Sequence, residues 1–362
     1  MRIAVLGVGL IGGSIGLAAK RRLQAEVAGF DPDPATLDRA LEEGAIDSAS
    51  ASVAEACEGA EVVFCAAPVA SLAALADSAL QSCGPDTVVT DAGSTKRDIV
   101  AAHADDERFI GGHPLAGAET SGVENAREDL FDGARWYLTP KSGSSSGVLY
   151  DRLQRTVAGL GARVQAIDAE AHDRLMATVS HLPHVVANAL VGQAAAELIR
   201  DGERMPEVGP SFRDTTRVAG ANPAIWGDIF ASNREAVAEA VEAIAGRLRE
   251  AAELIRDGQR EAVAEWHAAA GADRRRLLEA ELSGGPLREL RVVVANRPGT
   301  IAELALALGE AGVNIEDMAL YPAPDMTSGA VSLWVAGEEQ AARAQALVRE
   351  LGHTVSVVGD GK

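Results

Sequence analysis

Three glycines, Gly7, Gly9 and Gly12, follow directly on the apolar run Arg2-Ile3-Ala4-Val5-Leu6, and a helical pattern through Ser14, Ile15, Leu17 and Ala18 follows them. No other feature restricts the fold so tightly. An unbroken apolar run reads as a strand buried on both faces of a parallel sheet. Gly7 suits the tight turn out of that strand, Gly9 a close approach of phosphate to backbone, and Gly12 close packing of helix on strand. The first amides of the helix, at Leu10 and Ile11, have no partners within it and suit a pyrophosphate. A second strand is predicted over Glu26-Val27-Ala28-Gly29-Phe30, with Asp31 at its end, 19 residues after Gly12. A carboxylate there accepts from an adenosine ribose and repels a 2′-phosphate, so NAD is expected rather than NADP. Asp33 is the nearby alternative, and a plain Asp-Pro-Asp-Pro surface turn is the bland reading.

Two more buried strands are predicted, over Glu61–Ala67 and Thr87–Asp91. The first ends at Pro68, in a loop expected to line the nicotinamide side of the crevice. The second continues as Ala92-Gly93-Ser94-Thr95-Lys96. Ser94 can bond a substrate hydroxyl and orient a histidine, or it can cap a helix starting near Lys96. Arg108-Phe109-Ile110 reads as a short buried strand leading into Gly111-Gly112-His113-Pro114-Leu115-Ala116-Gly117, which places His113 on a tight turn. Histidine titrates near neutrality and can take a proton in one step and return it in the next. Pro114 pushes His113 toward extended backbone, and Gly112 leaves room for a ligand. An ordinary turn histidine is the alternative. Arg135–Thr139 and Ala162–Ile167 are expected to complete the same sheet, with a flexible Gly/Ser loop at Ser142–Gly147 between them.

A chain of 362 residues exceeds one ordinary core, so two or three domains are expected. The formal charge of −20 argues against nucleic acid or an anionic membrane as partner. Cys57, Cys65 and Cys83 lack metal spacing and read as reduced thiols of a cytoplasmic protein. Residues 3–19 superficially resemble a signal peptide, but Lys20-Arg21-Arg22 follow the apolar run rather than precede it. No other stretch is expected to cross a membrane.

From Ala169 to about Leu282 the pattern is helical. A long helix opens at Glu170-Ala171-His172-Asp173, and Pro183 should kink it. Ser180-His181-Leu182-Pro183-His184 sets two histidines three apart, on one helix face. No carboxylate or cysteine of convincing spacing joins them, so substrate contact is expected rather than metal. Gly209–Arg217 breaks the helical run and offers Arg213 and Arg217, four apart, for bidentate carboxylate recognition. A helix from Ser232 to about Arg256 has the pattern of helix–helix packing across a homodimer. After Ser283-Gly284-Gly285-Pro286 the order becomes strand, helix, two strands, helix, strand, the split ferredoxin-like arrangement.

Two resemblances tie these readings together. Residues 1–282 resemble the prephenate/arogenate dehydrogenase family. The match rests on Gly7-Val8-Gly9-Leu10-Ile11-Gly12-Gly13-Ser14, Asp91–Lys96, Gly112–Gly117, Ser180–His184 and Phe212-Arg213-Asp214-Thr215-Thr216-Arg217-Val218-Ala219, in family order. Residues 288–358 resemble an ACT domain through Asn296-Arg297-Pro298-Gly299 and Gly312-Val313-Asn314-Ile315. Ala118 stands where some relatives carry a hydroxyl residue. The resemblance implies a Rossmann-type NAD-binding domain (1–168), an all-α substrate and dimerisation domain (169–282), a linker (283–287) and an α+β ferredoxin-like ACT domain (288–362). It implies NAD-dependent oxidative decarboxylation of prephenate in tyrosine biosynthesis, with arogenate as the alternative substrate and a non-catalytic NAD- and amino-acid-binding regulator as the remote one. It makes His113 the base, Ser94 its positioning partner, and Arg217, then Arg213, the carboxylate ligand. His181 or His184 should lie near the substrate. An aromatic amino-acid effector, tyrosine, is expected near Gly299 and Asn314.

Overall fold

A computed structural model describes residues 1–117, 120–141, 147–198, 208–279, 287–297, 299–323 and 327–358. Ala118, most of the Ser142–Gly147 loop and residues 283–286 of the expected linker lie outside them; Leu287 already opens a strand. The chain divides into two compact units, Met1–Arg247 and Leu248–Lys362.

The first unit opens on a parallel sheet of β1 (Arg2–Leu6), β2 (Glu26–Phe30), β3 (Ser48–Ala49), β4 (Val62–Cys65) and β5 (Val88–Asp91), in the order β3-β2-β1-β4-β5. That order reverses direction across β1, which opens a crevice at the carboxyl ends of β1 and β4. β1 is almost wholly buried, as its apolar run requires. Gly7 leaves it at φ +92, a backbone that favours glycine, and a Cβ there would collide with the Ala66 carbonyl. The helix Leu10–Leu23 starts at once, with Gly9 as its N-cap and no side chain capping it.

The next segments do not extend this sheet as expected. Arg108–Ile110 pairs with β5 through the single Val89–Phe109 bridge among the described residues. The chain then forms β6 (Gly111–Pro114), which runs antiparallel to β7 (Arg135–Thr139), and β7 runs parallel to β8 (Arg163–Ala166). This is a separate three-stranded sheet rather than an extension of the first. It shares the first sheet's core through Trp136, which meets Phe64 edge-on at 6.1 Å and lies 5.0 Å from Phe131. His113 therefore sits on a strand, opposite Tyr137, not on a turn.

Helices Ala169–Met176 and Leu182–Leu198 are joined by a π-helical turn, Ala177–His181. Pro183 lacks an amide and crowds the carbonyl four residues back, and the widened turn accommodates it in place of a simple kink. Gly209–Arg217 does not stay irregular either: Pro210–Thr216 forms a short helix, with proline at its favoured first position. Helices Pro223–Ser232 and Arg234–Asp257 follow, separated at Asn233. The run Ala169–Glu197 is long and apolar enough to cross a membrane by length and composition, contrary to expectation. The same run carries His172, Asp173 and His181, all three buried.

The second unit contains helix Arg260–Glu279 and then β9 (Leu287–Ala295), helix Thr300–Glu310, β10 (Asp317–Pro322), β11 (Ser328–Ala336), helix Glu338–Glu350 and β12 (Thr354–Val357). The sheet order β10-β11-β9-β12 is the split βαββαβ arrangement read from the sequence. Its core packs Leu290 and Val292 of β9 against Leu304, Leu308 and Val348 of the helices.

Candidate active site

The dinucleotide end of the site is built from the turns after β1, β2 and β4. They enclose a cavity of about 520 Å³ lined by Gly7, Gly9, Phe30, Asp31, Ala66 and Pro68, among others. A Cβ on Gly9 would meet nothing within 4 Å, so open space lies above its backbone, while one on Gly12 would strike the Gly7 carbonyl. Asp31 accepts from the Val8 amide at 2.9 Å, which holds its carboxylate against the glycine turn. Asp33 is occupied as the N-cap of helix Pro34–Glu42, which leaves Asp31 as the candidate for a ribose. An uncapped helix start, an open glycine backbone and a fixed acidic group fit a pyrophosphate and an unphosphorylated ribose. Leu10 and Ile11 occupy the first helical turn and pack on the core.

The other end of the candidate site is organised by two buried aspartates. Asp91, at the end of β5, accepts from the Gly93 amide at 2.8 Å and the Gly112 amide at 3.0 Å, tying the Ser94 loop to β6. Its charge is met by Lys96, and neither side chain is exposed to solvent. Burial pulls the Lys96 pKa down against the opposing pull of Asp91. Asp173 accepts the amides of Lys96 at 2.8 Å and Arg97 at 2.9 Å, capping the helix Arg97–Ala102 from another element. Ser94 is thus not the cap; it stands half-buried on the same loop.

His113 lies between these two anchors. Its Nδ1 is 2.9 Å from Nε2 of His172, whose Nδ1 is 2.8 Å from Asp173 Oδ1. Burial, and then the nearby His172, Lys96 and His181, hold the His113 pKa well below its ordinary value. The imidazole is therefore neutral at neutral pH and free to accept a proton. Burial would raise the Asp173 pKa, but bonds from His172 and from the Arg97 and Lys96 amides outweigh it and keep the carboxyl ionised. His172, Asp173 and Lys96 carried no assigned role in the sequence. The only hints were adjacent His-Asp at a helix start and a lysine five residues after a strand-end aspartate.

His181 is buried and faces Trp226 edge-on at 5.9 Å, while His184 stacks on the same indole at 3.5 Å. Burial lowers the His181 pKa to about 4. The His184 pKa is also lowered, by burial and then by the charge of Arg217. The structure thus gathers His181 and His184 around Trp226, with His113 near enough to feel the charge of His181 and Arg217 near enough to act on His184. Arg213 instead donates to the Val208 carbonyl at 2.9 Å on an exposed helix. Gly299 and Asn314 belong to the second unit. Gly299 caps helix Thr300–Glu310 at φ +91, and Asn314 bonds Glu316 at 2.9 Å.

The glycine-turn crevice and the buried neutral histidine define an NAD-dependent dehydrogenase with a helical region completing its site. Residues 15–166 match the family described as prephenate dehydrogenase, nucleotide-binding domain, and residues 168–269 match prephenate dehydrogenase, dimerization domain. The chain belongs to the prephenate dehydrogenase family and is an NAD-dependent oxidoreductase. It is 33% identical over 268 residues to a prephenate dehydrogenase of Lactococcus lactis subsp. cremoris (strain MG1363), covering 71% of this chain and 73% of that one. It is 29% identical over 361 residues to that of Bacillus subtilis (strain 168), covering 95% and 94%. Among solved structures, prephenate dehydrogenase from A. aeolicus in complex with hydroxyphenyl propionate and NAD+ superposes with a TM-score of 0.71 at 31% identity, over 76% of this chain and 98% of that one. Synechocystis arogenate dehydrogenase superposes with a TM-score of 0.67 at 27% identity, over 76% and 100%.

Proposed function

We propose that this enzyme oxidises and decarboxylates prephenate to 4-hydroxyphenylpyruvate in tyrosine biosynthesis. Bound NAD+ supplies the acceptor for the hydride that leaves C4 of the ring. His113 takes the proton of the C4 hydroxyl, and loss of CO2 lets the ring become aromatic. The same histidine returns its proton to the ring oxygen, so the balance closes at one hydride transferred and one CO2 released. Gly7, Gly9, Leu10, Ile11, Gly12, Asp31 and Pro68 hold the cofactor, and Ser94 positions the hydroxyl against His113. Arg217, beside His184, binds a substrate carboxylate. His184 takes the substrate-facing role over His181, which is the more buried of the two. The observation that carries this reading is a neutral, buried His113 within reach of the charge of His181, and a His184 that shares Trp226 with His181 and feels the charge of an arginine that suits an anion. Replacing His113 by Asn should lower turnover by roughly 10²-fold or more, as loss of acid–base help does. Near-normal turnover in that variant contradicts the assignment.

Arogenate, which differs only in carrying an amino-acid side chain, is the second reading, favoured by the likeness to the Synechocystis arogenate dehydrogenase. The domain bounds follow the same reading: NAD-binding over 1–168, helical over 169–282 and an ACT unit over 288–362. The ferredoxin-like unit would sense tyrosine, and a cavity of about 210 Å³ beside Asn296, Arg297, Thr300 and Tyr321 supports this. Gly299 and Asn314, first expected at that site, do not line the cavity. The enzyme would act as a homodimer in the cytoplasm. Val179, Leu190, Val191 and Ile225 of the helical region are all more than a third exposed, an apolar surface that a second copy can cover. Its cysteines are free thiols, which suits a reducing compartment.

A further inference from the structure

We infer that His172 and Asp173 fix the tautomer of His113, holding a proton on its Nδ1 and leaving its Nε2 as the basic nitrogen. The inference deepens the reading of His113 as the base and rests on it. Asp173 anchors the arrangement. Its two oxygens accept the Lys96 and Arg97 amides at 2.8 and 2.9 Å, and an ionised carboxylate can only accept. Nδ1 of His172, 2.8 Å from Oδ1, must therefore carry the hydrogen. With that one N–H as its only ring hydrogen, which is part of the inference, His172 is left with Nε2 as an acceptor. His113 Nδ1 stands 2.9 Å from that nitrogen and must donate to it. His113 is neutral, so its Nε2 is bare.

None of His113, His172 and Asp173 is more than 9% exposed, so solvent does not compete for these bonds. The main chain of the same aspartate orders a second histidine. Its carbonyl accepts from Asn233 Nδ2 at 2.8 Å, and that amide also lies 3.2 Å from His181 Nδ1. An amide nitrogen can only donate there, which leaves the His181 proton on Nε2. When His113 takes the hydroxyl proton at Nε2, its Nδ1–H stays bonded to His172, so the new imidazolium forms without reorientation. His172 and Asp173 touch neither substrate nor cofactor in this scheme; they are positioning residues.

Nitrogen-15 NMR of the full chain labelled at histidine tests this without substrate, with His113→Asn assigning the His113 signals. The expected spectrum shows His113 protonated at Nδ1 and bare at Nε2. In His172→Leu the tautomer should shift toward Nε2–H. Turnover should fall roughly 10- to 100-fold, the size expected when a hydrogen bond to a charged group is lost, with KM for NAD+ little changed. His172→Gln, whose carbonyl oxygen can accept from His113, should recover most of that loss. A wild-type His113 protonated at Nε2 overturns the inference, as does a Leu variant that keeps both tautomer and turnover. If His172→Leu does not fold, the wild-type spectrum decides alone. Turnover is read with whichever of prephenate and arogenate is consumed, so failure here is distinct from failure of the substrate assignment.

Discussion

Lys96→Met removes one partner of an ion pair that has no solvent exposure on either side. Breaking a buried pair from one side typically costs about 3–5 kcal/mol, because the remaining charge is left uncompensated. Here the remaining charge keeps two amide donors, Gly93 and Gly112, so the lower end of that range, about 3 kcal/mol, is expected. The double variant Asp91→Asn with Lys96→Met removes the stranded charge and leaves one of the two amides poorly paired, at a cost of about 1–2 kcal/mol. The double variant should therefore be more stable than the single one. Urea unfolding followed by hydrogen exchange in β1 and β5 reads the first unit separately from the second. Turnover should fall with stability in the single variant, because Asp91 ties the Ser94 loop to the strand bearing His113. A Lys96→Met protein within about 1 kcal/mol of wild type, or a double variant less stable than the single, refutes the reasoning.

Three further outcomes follow from the same structure. Burial lowers the folded-state pKa of His113 and of His181, the latter to about 4, below the ordinary histidine value. The unfolded chain then binds more protons between those limits, so stability is full above about pH 6.5 and falls as pH drops toward 4; equal melting temperatures at pH 7.5 and pH 5 would contradict this. Tyrosine should raise the melting temperature of the second unit and change the rate, and a full-length enzyme indifferent to it in both respects removes the effector proposal. Sedimentation equilibrium at micromolar protein should give a dimer, whereas a monomer leaves the apolar helical face unexplained.

The parts of the fold that rest on local pattern were readable in the chain itself. β1, β2, β4 and β5 are apolar runs next to glycine or proline turns, and β9 to β12 with their two helices follow ordinary amphipathic periods. β6 was not readable, because Gly-Gly-His-Pro has poor strand propensity. It is a strand because Gly111–Pro114 pairs with Arg135–Thr139, a tertiary effect that outweighs propensity. The site divides in the same way. The glycine turn, Asp31 and His113 belong to spaced motifs, whereas His172 and Asp173 acquire meaning only when helix Ala169–Met176 packs behind β6. The resemblance ranks Arg217 ahead of Arg213, but their four-residue spacing does not separate them; the fold places Arg217 beside His184 and turns Arg213 to the Val208 carbonyl.

The central claim is that a neutral His113 and a bound dinucleotide oxidise a cyclohexadiene acid. NADH formation from NAD+ with prephenate and with arogenate, side by side at neutral pH, measures it most directly. A strong rate with prephenate, lost in His113→Asn, is the predicted result. A rate with arogenate alone keeps the chemistry and moves the substrate. No NADH from either, in a protein that still binds NAD+, contradicts the account.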